Sequence, residues 1–323
     1  MKCTDKKSIT VFLKLVGTTC NMECKYCYEH VSKNPKRGIK DVQEVFDYLK
    51  EFIGYEHVFI VFHGGEPLLM KIHDIKNILD YIFMNFKNKI HVQFQTNGTL
   101  LNDSWILLLK EYSSNISLSI SLDPVGEKDL RYLNNKDYRK VVIDNLKKYS
   151  SVIKNIGIIS VAHVYNKDYF IDYIEELIKL GVSSITINKY RKIKEKDKYS
   201  ITEMEYVILL KKIFMNWIEK KWYLKINIQP LLSLFSNNTN KICIYLKDEN
   251  KCSYFRTFYH EKDSSNYCDH ILDNVLPKVS KSCLECDIYS KCGGGCLMEE
   301  KEVSFCEGRR ELFKFIEEMK NEN

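Results

Sequence analysis

Twelve cysteines in 323 residues, and the way they are spaced, limit what this chain can become. Cys3 is followed by a tight group, Cys20, Cys24 and Cys27; none occurs for more than two hundred residues, and then eight lie between Cys243 and Cys306. The gap separates a cysteine-poor body from a cysteine-rich C-terminal module. The apolar run from Ile9 to Val16 is interrupted by Lys14 and precedes no small-x-small cleavage site, so it reads as a strand and not as a signal peptide. No stretch reaches the roughly 18 apolar residues of a membrane span. The chain is therefore expected to be cytoplasmic, with no membrane partner. In a reducing compartment so many thiols point to metal and not to disulfides.

The body alternates short apolar runs with amphipathic helical patterns, as β/α units of a parallel sheet do. Strands are expected at Thr10 to Val16, His57 to Phe62, His91 to Thr96, Ile116 to Leu122, Ile156 to His163 and Ser184 to Lys189. Helices are expected from Asp41 to Phe52, with Val42, Val45, Phe46, Leu49 and Phe52 on one face, and from Asp74 to Phe83, with Ile75, Ile78, Leu79 and Ile82. Asn102 and Asp103 can cap a helix carrying Ile106, Leu107 and Leu109, and Gly181 ends one that starts near Asp168. Six units are too few to close an eight-stranded barrel. An α/β fold with a partial (β/α)6 TIM-like barrel, open and with its active site at the strand C-terminal ends, is the expectation. A helix around Glu203 to Lys220, carrying Ile208, Leu209, Ile213 and Trp217, would bridge to the last module. The domains expected are 1–200, 201–240 and 241–323. At 45% hydrophobic and 28% charged residues, disorder and low complexity are excluded. The net charge of +6 calls for no nucleic acid, and the basic run from Lys189 to Lys198 reads as a solvated face or loop.

After the first strand stands CNMECKYC, Cys20 to Cys27. Three thiolates at CxxxCxxC spacing can bind three irons of a cubane and leave the fourth iron open for reaction. The same spacing fits a zinc site completed by His30, or a redox pair of Cys24 and Cys27. The second strand ends in His63-Gly64-Gly65-Glu66-Pro67, where paired glycines admit close approach to the backbone and Glu66 can meet a cationic amine. The third ends in Gln95-Thr96-Asn97-Gly98 and the fourth in Ser119-Ile120-Ser121-Leu122-Asp123. Each alone is a turn signal; together they form a polar rim at one end of the strands.

This combination resembles the radical S-adenosylmethionine superfamily. The resemblance implies that Cys20, Cys24 and Cys27 hold a 4Fe-4S cluster whose free iron binds S-adenosylmethionine. It places Tyr26 near the adenine, assigns Gly64, Gly65 and Glu66 to the methionyl amine, and puts Ser121 near the carboxylate and ribose, with Asp123 and Arg131 as helpers. One electron, from reduced flavodoxin or ferredoxin, would then yield a 5'-deoxyadenosyl radical that abstracts hydrogen from an unactivated C–H bond. Asp123 is followed by Pro124 where the family often has glycine.

The C-terminal cysteines resemble the SPASM domain, which usually holds two auxiliary 4Fe-4S clusters. The pattern implies Cys243, Cys252, Cys268 and Cys296 on the first and Cys283, Cys286, Cys292 and Cys306 on the second. Cys243 lies outside the seven-cysteine pattern, Asp263 stands where glycine is usual, and a double zinc site shares the spacing. Cys3 is left unliganded. Asp269 occupies the position of a general base in anaerobic sulfatase maturases, with His270 as its competitor; a carboxylate there can take a proton while an auxiliary cluster accepts an electron. The functional expectation is a maturase that cross-links or epimerises a residue of a ribosomally made precursor peptide. Only nineteen residues precede Cys20, too few for a separate leader-recognition domain. An epimerase would need a hydrogen donor, for which Cys3, or Cys243 if unliganded, is available. The alternatives are an anaerobic sulfatase maturase making formylglycine, for which the chain is short, and a non-enzymatic zinc-binding module.

Overall fold

The apolar runs fold where their spacing puts them. The computed structural model describes residues 8–27, 29, 36–86, 89–134, 136–153, 155–190, 198–235, 255–260, 281–292 and 303–321. Its strands are β1 (Ser8–Leu13), β2 (Glu23–Cys24), β3 (His57–Phe62), β4 (Ile90–Thr96), β5 (Ile116–Ser121), β6 (Arg131–Tyr132), β7 (Ile156–Ala162), β8 (Ser184–Lys189), β9 (Asn227–Gln229) and β10 (Phe255–Phe258). The longer helices are α1 (Gln43–Leu49), α2 (Ile72–Phe86), α3 (Asp103–Glu111), α4 (Tyr138–Tyr149), α5 (Phe170–Lys179) and α6 (Glu203–Glu219), followed much later by Val303–Asn321. All six expected strands are present. The class is α/β with parallel pairing, as the alternation requires.

The chain divides into two compact units, Met1–Ser121 with Leu130–Gly157 and Cys252–His270, and Leu122–Asp129 with Ile158–Lys251 and Ile271–Asn323. In the first, the parallel ladder runs β10-β1-β3-β4-β5. Val58, Ile60, Val61 and Phe62 of β3 are all buried, as in a strand covered on both faces. Phe62 and Phe94 face each other in register and stack at 4.4 Å, each contributing on the order of 2–3 kcal/mol through burial. Helix α2 buries Ile75, Ile78, Leu79 and Ile82 on one stripe. Asn102 caps α3 by accepting from Trp105 N, but Leu107 is exposed while Leu108 is buried, since the core stripe passes through Trp105, Ile106, Leu108 and Leu109. Helix α1 ends at Leu49, and a 3-10 turn carries Phe52 into the core. Strand β10 has no counterpart in the sequence reading: four residues in a segment without apolar periodicity add to the edge of β1.

In the second unit, β8 and β9 pair in parallel, and Gly181 closes α5 with φ +75°. Helix α6 starts at a capping box between Thr202 and Glu205. Its buried side is Tyr206, Val207, Leu209, Leu210, Ile213, Phe214 and Trp217, whereas Ile208, expected on that side, is exposed. Lys189 departs from the solvated face expected of the basic run: its ammonium meets the buried carboxylate of Glu203 at 2.7 Å, and Arg309 Nε approaches the same side chain at 2.7 Å. A Cβ on Gly308 would lie 2.8 Å from Glu203 Cγ, so helix Val303–Asn321 and α6 meet closely there. Among the described residues, no helix is long and apolar enough to cross a membrane.

Candidate cluster-binding site

The segment after β1 carries Cys20 before β2, Cys24 at the end of β2 and Cys27 just beyond it, all half-buried. Three ties hold it. The segment after β3 lies against its first leg, with Gly65 N donating to Gly17 O and Glu66 N to Thr19 O, both at 2.9 Å. Glycine is required here: a Cβ on Gly65 would stand 1.8 Å from Thr19 O, and Gly64, at φ +108°, would meet Gly17 O at 2.7 Å. The close approach allowed by this glycine pair therefore includes one to the chain's own backbone, one residue before Cys20. Downstream, β2 and β6 form a two-residue antiparallel ladder that sets Cys24 opposite Arg131.

The third tie is a side-chain network. Glu66 is fully buried; its Oε1 accepts from Thr96 Oγ1 at 2.6 Å and Leu68 N at 3.0 Å, and Oε2 accepts from Asn97 N at 2.7 Å. Asn97 Nδ2 donates to Asn21 Oδ1 at 2.8 Å and lies 3.8 Å from Cys20 Sγ, while Asn21 Nδ2 donates to Thr99 Oγ1. Thus Asn21, Thr96, Asn97 and Thr99 join the cysteine loop to Glu66. Thr96 and Asn97 lie in the polar cluster Gln95 to Gly98, with Thr99 beside it, and Asn21 lies inside the Cys20 to Cys27 motif, yet the sequence assigns none of the four a role, because a single amide or hydroxyl in a loop looks like any turn residue. Thr96 ends β4 and Ser121 ends β5, so Cys20, Glu66, Thr96 and Ser121 all lie at or beyond the C-terminal ends of parallel strands.

Burial pushes the Glu66 carboxyl up to about 7, against its three hydrogen bonds and the Arg131 charge, which lower it. The folded state then holds a proton that the unfolded state has released between pH about 4.5 and 7, so stability falls as pH rises through that window. Chemical denaturation across pH 4 to 8 is expected to show this decline, and Glu66→Gln to remove it. Burial likewise raises the Cys20 thiol, helped by Glu66 and Cys27 and opposed by hydrogen bonds from Met22 N and Asn97. Coordination to iron reverses such a shift, since a ligated thiol is deprotonated outright.

Tyr26 Oη accepts from Arg131 Nε at 2.6 Å, and the guanidinium lies 5.4 Å from the ring centroid. Tyr26, Gly64, Gly65, Glu66, Ser121 and Arg131 thus belong to the same unit as the three cysteines. Asp123 falls in the other unit, where its Oδ1 accepts from Val161 N at 2.8 Å. The donor set fits a cubane. Among the described residues no three His, Cys, Asp or Glu side chains are gathered tightly enough for a single ion. Thiolates spread over a cluster, each on its own iron, need no such convergence.

Of the C-terminal ligand candidates, Cys283, Cys286, Cys292 and Cys306 lie in the described residues, all in the second unit. Cys286 N donates to Cys283 O and Cys292 N to Ile288 O within two short helical turns. Arg310 Nη2 is 3.3 Å from Cys286 Sγ and feels the charge of Cys306; the Tyr289 phenol is raised by burial and by Cys283 and Cys292. Cys286 and Cys306 thus lie near Arg310, and Cys283 and Cys292 near Tyr289. Cys243, Cys252, Cys268, Cys296, Asp263, Asp269, His270, Cys3 and His30 lie outside the described residues.

A model of the Radical SAM superfamily matches residues 15–188, more than half of the chain, a span that includes the cysteine loop, Glu66, Asn97 and Arg131. The chain belongs to the radical SAM superfamily. It is accordingly a radical SAM enzyme, with a 4Fe-4S cluster and S-adenosylmethionine as its cofactors. It is 26% identical over 369 aligned residues to the cysteine-type anaerobic sulfatase-maturating enzyme of Clostridium perfringens (strain 13 / Type A), covering 95% of this chain and 96% of the relative. Its fold matches that of native anSMEcpe with bound AdoMet and Cp18Cys peptide, at a TM-score of 0.72, 19% identity and coverage of 95% and 96%. The structure of Streptococcus suis SuiB bound to S-adenosylmethionine aligns at 0.64 and 15% identity, covering 93% of this chain and 77% of SuiB. At these identities the two structures establish a shared fold, the partial barrel the sequence suggested. The C. perfringens relative is a maturase, and this radical SAM enzyme stands beside it.

Proposed function

We propose that this radical SAM enzyme matures a sulfatase, oxidising an active-site cysteine to formylglycine. The observation that carries the reading is the end-to-end correspondence with the C. perfringens sulfatase-maturating enzyme, at 95% and 96% coverage. It reverses the order suggested by sequence alone, in which cross-linking or epimerising a precursor peptide came first. That second reading keeps one support, the likeness in fold to SuiB, whose structure with the precursor peptide SuiA aligns at a TM-score of 0.63.

The substrate cysteine must lose a Cβ hydrogen atom, a proton and an electron to become a thioaldehyde, which water hydrolyses to the aldehyde with release of sulfide. When bound, the first cluster and S-adenosylmethionine provide the hydrogen-atom acceptor, and auxiliary clusters an electron acceptor. In this reading Cys20, Cys24 and Cys27 hold the first cluster, and Tyr26, Gly64, Gly65, Glu66, Ser121 and Arg131 bind S-adenosylmethionine. The module 241–323, joined by 201–240 to the barrel 1–200, carries the eight auxiliary ligands, and Asp269 takes the proton. A reduced flavodoxin or ferredoxin supplies the priming electron.

The test is anaerobic turnover of the reconstituted enzyme with a cysteine-containing sulfatase peptide, followed by hydrazide trapping of aldehyde. Trapped product supports the proposal. An untouched sulfatase peptide, together with loss of two hydrogens from a short peptide encoded beside the gene, supports cross-linking instead. Asp269→Asn is expected to spare 5'-deoxyadenosine formation while lowering aldehyde yield about 100-fold; unchanged yield would remove Asp269 as the base.

A further inference from the structure

Lys14, whose charge interrupts the apolar run before the cysteines, is fully buried just beyond β1, between the buried Leu13 and Leu15. Its ammonium donates to Glu29 Oε1 at 2.5 Å and to Tyr259 Oη at 2.8 Å, and both partners are themselves buried. His63 Nδ1 lies 3.9 Å from the same carboxylate oxygen. Taking two charges out of water at such a place costs more than an apolar pair would, so the pair is a poor device for stability alone. What it supplies is position. Lys14 stands before the cysteine loop and Glu29 two residues after Cys27, so the bond between them closes the neck of the loop that carries all three thiols. The ties from Gly65, Glu66, β6 and Asn97 act within the loop, and a bond across its neck reduces the freedom they leave. Tyr259, directly after β10, steadies the ammonium, and the backbone N of Lys14 donates to Phe258 O at 2.9 Å. All of these residues fall in the first unit.

We infer that Lys14 is a positioning residue for the first cluster: through Glu29 it clamps the neck of the Cys20 to Cys27 loop, so that the three thiolates are presented in the arrangement that retains iron. The inference rests on the reading of those cysteines as cluster ligands. Supporting interactions behind metal ligands typically change metal retention about 10- to 100-fold when removed.

The full chain, reconstituted anaerobically, provides the test, with Lys14→Met and the double variant Lys14→Met/Glu29→Leu, which removes both members of the pair together. Two quantities are read: the rate at which a chelator removes the cluster whose EPR signal is perturbed by S-adenosylmethionine, and the far-UV circular dichroism. The double variant is expected to keep wild-type dichroism and to lose that cluster about 10-fold faster or more, with signals from other clusters unchanged. If Lys14→Met alone fails to fold, the double variant decides. A folded double variant as resistant as wild type overturns the clamp, as does loss of iron that only parallels loss of dichroism in both variants. Absence of any S-adenosylmethionine-perturbed signal in the wild type would instead sink the ligand reading on which the clamp depends.

Discussion

Replacing Cys24 by Ala is expected to abolish 5'-deoxyadenosine formation while leaving the fold in place. Cys24 sits in the β2–β6 ladder opposite Arg131, where its backbone, and not its half-buried side chain, makes the strand pairing. Removing the half-buried sulfur leaves that pairing intact and is expected to cost about 1 kcal/mol in stability. The chemistry is affected far more, because a cubane with three protein thiolates has none in reserve. Chromatography of anaerobic reactions with a strong reductant would show no 5'-deoxyadenosine from the variant, whereas Cys3→Ala should behave as wild type. Wild-type levels from Cys24→Ala would show that the CxxxCxxC loop does not carry the reaction.

Gly65→Ala should be nearly as damaging, for a reason that has nothing to do with ligands. The added methyl would fall 1.8 Å from Thr19 O and 2.2 Å from Thr19 C, backbone atoms that no rotamer change can move aside. The segment after β3 and the first leg of the cysteine loop must separate, breaking the bonds from Gly65 N to Gly17 O and from Glu66 N to Thr19 O. Thr19 adjoins Cys20, and Glu66 anchors Asn97, which approaches the Cys20 sulfur, so displacement reaches the cluster ligand by two routes. A loss of about 3 kcal/mol or more in stability is expected, together with loss of the reconstituted cluster. Thermal melting and iron content measure the two effects. A variant that melts like wild type and still binds iron would mean that the two loops are not held as described.

Much of this was legible in the residues. Periodicity placed six strands within a few residues of their ends, and two at both ends: His57–Phe62 because it is apolar along nearly its whole length, and Ser184–Lys189 because Ile185 and Ile187 alternate with polar residues. Helix faces were readable in outline and wrong in detail: Leu107 and Ile208 are apolar but exposed, since apolarity alone does not say which of two adjacent leucine-like positions faces the core. Strands β9 and β10 were not legible, being three and four residues long and held by the ladder they join, with no pattern of their own.

What the sequence alone offered is the chemistry: the CxxxCxxC cysteines and the Gly64-Gly65-Glu66 turn are local patterns whose resemblance pointed to a radical SAM enzyme, the family that matches residues 15–188. Tertiary structure alone decided how that chemistry is held. The Gly65 contact with Thr19, the join of Asn21 and Asn97, the pairing of Tyr26 with Arg131 and the burial of Lys14 against Glu29 and Tyr259 link residues far apart along the chain. Short-range patterns carry no information about such contacts, because only the packing of the strands brings their ends together.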